Sequence, residues 1–326
     1  MSRTFFSYHI LGLILLLSMP HLGIAATKTL PDSVVFHETT IQETPYMTRE
    51  FEVDGPGILK VFTLAGDVEV EETPNTHKVR IELYVDRGYA FWSNTKNLDN
   101  YRITMLKRGN EIVASVEQKS KETGFFSDQM KFSFKVFVPQ AMSTQLKSSG
   151  GDIHINGLRG DQLAKTSGGN IEVRNAVGKI AAYTSGGNIG IRTSEGTIYG
   201  QTEGGNINIA ESGGEIRLRS NGGNVRAEQI SGSMLARVEG GNIKASFIEV
   251  SQGISLETTA GDIFLDIPRD GGYDIAVRAS KINFPALPGF TGTQRSNMVE
   301  GTSNNGGSTI NLVTEYGTVT LETGIY

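Results

Sequence analysis

Residues 167–210 read SGGNIEVRNAVGKIAAYTSGGNIGIRTSEGTIYGQTEGGNINIA. Gly-Gly-Asn-Ile occurs three times in this stretch, always at the same interval. The second glycine of each pair falls at Gly151, Gly169, Gly187, Gly205, Gly223 and Gly241, a constant spacing of 18. Midway sit Gly160, Gly178, Gly196, Gly214 and Gly232. Between the glycines the side chains alternate. Ile171/Val173, Ile189/Ile191 and Ile207/Ile209 are apolar, while Glu172, Arg192 and Asn208 lie among the polar positions. Alternation with period two means short strands with one buried face. The glycines recurring in every coil and this alternation both oppose a helix.

Each nine-residue unit is therefore one short strand and one Gly-centred turn, and two units make one coil. The fold class this predicts is all-β, a single-stranded β-solenoid of about 18 residues per coil. One coil cannot bury its own apolar face, so the array is stable only as a stack. The glycines are expected to take positive φ at the corners and to let coils approach closely. The residue after each pair is Asp152, Asn170, Asn188, Asn206, Asn224 or Asn242. A side-chain amide at one fixed corner of every coil predicts a structural ladder of hydrogen bonds along the stack. The calcium-binding nonapeptide repeat also has two units per coil. It needs carboxylates where this chain carries Val173, Ile191 and Ile209, so no metal is expected here.

Composition bounds the rest. Forty glycines in 326 residues is well above the ordinary content of about 7%. No cysteine is present, which removes disulfides, thiolate catalysis and Cys-ligated metals. A net charge of -5 gives no basic footprint for nucleic acid. The opening MSRTFFSYHILGLILLLSMPHLGIAA has a basic start, a short apolar run and small residues before Ala26. This is the pattern of a secretory signal peptide. Export to the periplasm, the cell surface or the medium is expected, with no transmembrane span after cleavage.

Five regions follow: a signal peptide (1–25), an N-terminal β segment starting the solenoid pattern (26–72), an antiparallel β-meander insertion or cap (73–145), the regular solenoid (146–268), and a C-terminal β segment (269–326). The meander is read from alternating runs at His77–Asp86, Tyr101–Arg108, Glu111–Gln118 and Met130–Val138. The C-terminal segment is expected to hold a mobile Gly/Asn-rich loop, Gly289–Gly307, and a closing strand.

The stretches SSGGDIHINGL, TSGGNIEVRNAVG and TAGDIFLDIP, followed by a terminal YGTVTLETG, resemble a bacterial domain-of-unknown-function family labelled putative adhesin. The resemblance covers about Gly57–Tyr326. It implies an all-β envelope or exported protein with no established enzymatic activity and no catalytic residues to carry over.

The residues themselves agree with a non-enzyme. His37, His77 and His154 lie far apart and in no metal-ligand spacing. The Ser residues of the SGG turns have no nearby His to activate them. Outward charges are mixed in sign, as in Glu172/Arg174, Glu215/Arg217 and Arg226/Glu228. Glu203 and Glu239 offer at most a carboxylate pair two coils apart. No catalytic residue and no cofactor is expected. Two aromatic loops stand out: Tyr89, Phe91 and Trp92 after the first run of the meander, and Phe125 and Phe126 after the third. In an up-down meander both emerge at one end. They are the expected ligand-binding residues, for an envelope glycan, a lipid surface or a protein. The function expected is a structural or binding module of the bacterial envelope, adhesin-like. The alternatives are a periplasmic envelope-stress or signalling accessory and, less favoured, a carbohydrate-active β-helix enzyme.

Overall fold

The structure is a computed structural model that describes residues 44–86, 98–119 and 130–324. The chain is all-β. Strands β1 (Met47–Glu52), β2 (Gly57–Thr63), β3 (Val68–Glu72), β4 (Lys78–Asp86), β5 (Tyr101–Arg108), β6 (Glu111–Gln118) and β7 (Lys131–Val138) build one end. The regular coils are β8 (Met142–Ser148) with β9 (Ile153–Asn156), β10 (Gln162–Lys165) with β11 (Ile171–Arg174), β12 (Val177–Thr184) with β13 (Ile189–Arg192), and β14 (Glu195–Thr202) with β15 (Ile207–Ala210). Strand β16 (Gly213–Ser220) follows. Two long strands, β17 (Val225–Val238) and β18 (Ile243–Thr258), each bend through both faces. The far end is β19 (Ile263–Pro268), β20 (Tyr273–Arg278), β21 (Lys281–Asn283), β22 (Thr291–Arg295), β23 (Met298–Ser303), β24 (Ser308–Thr314) and β25 (Thr318–Gly324).

Successive coils pair in parallel, with Ile171 between Ile153 and Ile189, and Ile180 beside Gln162 and Ile198. Two faces result. The long-strand face runs β6, β2, β8, β10, β12, β14, β16, then the second halves of β17 and β18, then β24 and β20. The short-strand face runs β7, β3, β9, β11, β13, β15, the first halves of β17 and β18, β19, β25 and β21. The alternating aliphatic side chains meet between the faces. Ile153, Ile171, Ile189 and Ile207 from one face and Ile180, Ile198 and Ile216 from the other are at most 1% exposed. Between β17 and β18 the register moves from Ala227↔Ala245 to Met234↔Ile254, and the extra residues bulge outward at Ile248.

Segment 73–145 departs from the expected meander. Its four runs are strands, but β4 pairs antiparallel with β7 and with β1, while β5 pairs antiparallel with β6. These two pairs belong to opposite faces. The physical reason is that a solenoid end exposes two sheet edges, and each edge must be covered. Alternation marks a strand but is silent on which edge it meets.

The far end corrects a second expectation. Gly289–Gly307 contains an antiparallel hairpin, β22–β23, laid on β20, in place of a mobile loop. Its strands are polar because they form the rim, and β22 is exposed throughout. Both ends also contain a coil placed out of chain order. β2 and β3 lie between β6/β7 and β8/β9, and β24 and β25 lie between β18/β19 and β20/β21.

Candidate binding surfaces

The GG corner is the most regular part of the molecule. Asp152, Asn170, Asn188, Asn206, Asn224 and Asn242 stand in one column, half-buried at Asp152 and exposed at the five asparagines. Each Oδ1 accepts from the backbone N–H of the next residue in the column at 2.7–2.9 Å. The chain of bonds starts at Asp67, passes Asp262 and ends on the N–H of Thr318. Amide-to-side-chain bonds are secondary. They join Asn170 to Asp152, Asn188 to Asn170 and Asn224 to Asn206 at 3.2–3.3 Å. The essential element is thus an acceptor oxygen, which explains why Asp serves at both ends.

A buried hydroxyl column runs beside it. The hydroxyls of Ser148, Thr166, Thr184, Thr202, Ser220, Thr258 and Thr314 donate to carbonyls of the glycine column one coil back, at 2.8–3.1 Å. In five coils the same oxygen accepts from the N–H of its own second glycine. Buried polar backbone is thereby satisfied at a corner that no strand ladder reaches. The signal for this column was in the sequence, as the Thr or Ser two residues before five of the six repeat GG pairs; Val238 precedes the sixth.

The aromatic candidates Tyr89, Phe91, Trp92, Phe125 and Phe126 lie outside the described residues. The strands that lead to them are described. Asp86 of β4 lies opposite Lys131 of β7, and Tyr101 of β5 lies opposite Gln118 of β6. The Tyr101 and Phe132 rings meet at 4.7 Å between centroids, and the Phe132 N–H donates to the Ala65 carbonyl. The described strand ends on either side of these segments are thus linked through Phe132 to the corner Ala65–Asp67, although β4 and β5 do not pair.

His154 sits outward on β9, its Nδ1 3.5 Å from the Glu172 carboxylate. Glu203 and Glu239 are separated by the coil that carries Asn221, and Glu239 faces Arg219 at 3.7 Å. Among the described residues no group of three His, Cys, Asp or Glu side chains could hold a metal ion. The Glu172–Arg174, Glu215–Arg217 and Arg226–Glu228 neighbours are same-strand ion pairs. Contact with Glu215 raises the Arg217 pKa further above its ordinary value.

The outer side of the long-strand face differs from the other surfaces. Lys147, Lys165, Tyr183, Gln201, Arg219 and Arg237 form one column in register. Lys165 lies over the Tyr183 ring at 4.9 Å, and Arg217 over the Tyr199 ring at 5.7 Å. Both tyrosines are half-buried against the sheet.

A two-faced parallel stack, capped at each end by antiparallel strands, defines the protein as a closed-ended β-solenoid. The chain belongs to the Toastrack family, DUF4097, whose family model matches residues 59–322. Similar solved structures include a putative adhesin from Bacteroides fragilis, 14% identical, covering 85% of this chain and 96% of that one, with a TM-score of 0.40. Another is a putative adhesin from Parabacteroides distasonis, 13% identical over 85% and 96%, with a TM-score of 0.43. A third is a putative cell adhesion protein from Clostridium sporogenes, 12% identical over 86% and 100%, with a TM-score of 0.22. No curated protein matches the chain.

Proposed function

We propose that the protein is an exported, non-enzymatic binding module of the bacterial envelope, adhesin-like in that a stiff β-solenoid displays a contact surface to an external partner. The observation that carries the reading is that the described strands flanking both aromatic segments come together at one corner. Their stems meet at Ala65–Asp67, joined by the Tyr101–Phe132 contact. On this reading Tyr89, Phe91, Trp92, Phe125 and Phe126 are the contact residues for a glycan, a lipid surface or a protein. The stack supplies stiffness, since every coil is pinned to the next by strand pairing and by the corner ladders.

Trp92 is the only tryptophan, so its fluorescence reports on the patch directly. The chain from Ala26 is titrated with peptidoglycan fragments, lipopolysaccharide, anionic vesicles and neutral glycans. The expected result is a red-shifted, quencher-accessible emission that responds to one ligand class. A blue-shifted emission, closed to quencher and unmoved by every ligand, would make the segments an internal plug and overturn the contact. Export is tested separately. The N-terminus of the protein recovered outside the cytoplasm should lie near Ala26, and an intact Met1 in the cytoplasm would refute it.

A further inference from the structure

Like charges stand side by side on both faces; on the short-strand face Arg174 lies beside Arg192 and Arg226 beside Lys244. On the short-strand face Lys135 meets Glu69, Arg174 meets Glu172 and Arg226 meets Glu228. On the long-strand face Lys147 stands directly beside Lys165, and Arg219 beside Arg237. Like charges opposite each other in a sheet are destabilising. The arginines are relieved by Glu239 and Glu257. Lys147, Lys165 and Lys179 make no ion pair among the described residues; Lys165 and Lys179 instead lie over the rings of Tyr183 and Tyr199. The uncompensated lysines of the long-strand face also line grooves.

The side chains around these lysines form a continuous trough. One groove of about 330 Å³ is lined by Gln145, Asp161, Lys165, Lys179 and Tyr183. A second, of about 270 Å³, is lined by Lys147, Lys165, Ser167, Tyr183, Gln201 and Glu203. A third, of about 210 Å³, joins Tyr183 to Tyr199, Arg217 and Arg219. Tyr183 belongs to all three, so they run into one another along the solenoid axis. Six rungs from β8 to β17 at about 4.8 Å each span roughly 24 Å. The three grooves are lined by six cations, Lys147, Lys165, Lys179, Arg217, Arg219 and Arg237, against Asp161 and Glu203, a local excess of four on a chain whose net charge is -5.

We propose that this trough binds an extended polyanionic glycan, with Lys147, Lys165 and Lys179 holding its acidic groups and Tyr183 and Tyr199 stacking on its sugar rings. The reading of the chain as a binding module underlies this, but the aromatic segments do not. An elongated trough with regular rungs fits a linear polymer. Unpaired ammonium groups beside flat half-buried rings supply charge and an apolar platform together. Asp161, Gln145, Gln201 and Glu203 interleave with the cations. They suit a ligand bearing hydroxyls between its charges, because a carboxylate accepts from a hydroxyl. A nucleic acid backbone would meet the same carboxylates with repulsion. A membrane would find a recessed polar trough in place of a protruding apolar anchor.

The test is calorimetric titration of the chain from Ala26 with polygalacturonate oligomers at low and at physiological salt. Neutral dextran, single-stranded oligo-dT and phosphatidylglycerol vesicles are the comparisons. Binding of polygalacturonate that weakens with salt is expected. K147E/K165E should weaken it by about tenfold or more, because two charge-assisted contacts are lost. Lys244→Glu, on the opposite face over Phe264, should leave it within about twofold. Both variants change outward side chains, and equal circular dichroism and melting confirm the fold. Tyr183→Ala should weaken binding while preserving its salt dependence. The proposal is overturned by no binding at low salt, by equal binding in K147E/K165E, by equal loss in Lys244→Glu, or by tighter binding of oligo-dT or vesicles. A Trp92→Phe variant separates the two readings. Polygalacturonate affinity unchanged in that variant supports the trough, and affinity lost there but kept in K147E/K165E assigns the ligand to the aromatic segments.

Discussion

Gly186 and Gly187 are neighbours with different roles. A Cβ on Gly187 would overlap the carbonyl of Gly169 in the coil below, whereas one on Gly186 would meet nothing nearer than 3.8 Å. Neither has positive φ. That conformation belongs to the mid-repeat glycines, such as Gly196 at +128°. The pair is thus conserved in pattern along the chain for close approach at one position only. Gly187→Ala should cost about 1–3 kcal/mol by forcing coils apart, and Gly186→Ala should stay within about 0.5 kcal/mol. Urea denaturation of the two variants checks both. Tyr273 is the second residue whose environment makes a prediction. It is buried, and its hydroxyl donates to the Pro268 carbonyl at 2.7 Å. Burial, with Asp270 nearby, pushes its pKa from 10.0 up to about 12. The folded state therefore keeps the proton after the unfolded chain has lost it. Its contribution is fully present below about pH 10 and is lost as the pH rises to about 12. Comparison of wild type with Tyr273→Phe between pH 9 and 12 isolates it. The wild type should lose about 2–3 kcal/mol more than the variant over that range.

The hydroxyl column ties one element to the next, and it has one gap. Thr202 donates to Gly187 and accepts from Gly205, both buried. Val238 occupies the equivalent place one coil after Ser220, so no hydroxyl reaches the Gly223 carbonyl there. Thr202→Val should cost about 1–3 kcal/mol, since it leaves buried backbone groups without partners. Val238→Thr should be neutral or stabilising by up to about 1 kcal/mol, because it completes the column. Thermal melts of the single variants and of the pair check the assignment. At this scale much was legible in advance. The 18-residue recurrence and the alternation around Ile171, Ile189 and Ile207 place strands, interior and corner residues. The partners of β4 to β7 were not legible, because alternation is identical for a strand in a meander and for one covering a solenoid edge. The hairpin β22–β23 was hidden for the opposite reason: a polar, Gly-containing rim strand lacks an apolar face. The Lys147–Lys165 stack was encoded, since the two residues stand 18 apart. Its meaning appeared only once the register showed that no carboxylate lies between them.

The whole molecule is held closed by its out-of-order coils. At the far end, β24 lies between β18 and β20, and β25 between β19 and β21. Their Ile310, Leu312, Val319 and Leu321 are buried in the common interior. These two strands therefore lock the cap β20–β23 onto the stack; the long-strand face ends in the antiparallel strands β23 and β22, and the short-strand face in the three-residue strand β21, parallel to β25. The outermost strands are blunted as well: β1 carries Arg49, Glu50 and Glu52, β5 carries Arg102, Lys107 and Arg108, and β22 is polar throughout. Charges and polar residues at such edges suppress edge-to-edge association. Deleting residues 308–324 tests the lock. The regular coils should persist, because each depends on its neighbours alone. The cap should detach, so that the amides of Tyr273–Arg278 lose hydrogen-exchange protection while those of Ile189–Arg192 keep theirs. The exposed edge of β18 and β19 should also drive the truncated chain to self-associate in gel filtration. If the last strands merely extended the end of the rod, truncation would remove one coil and leave Tyr273–Arg278 as protected as before. That outcome would break the link drawn here between the order of the strands and the closure of the molecule.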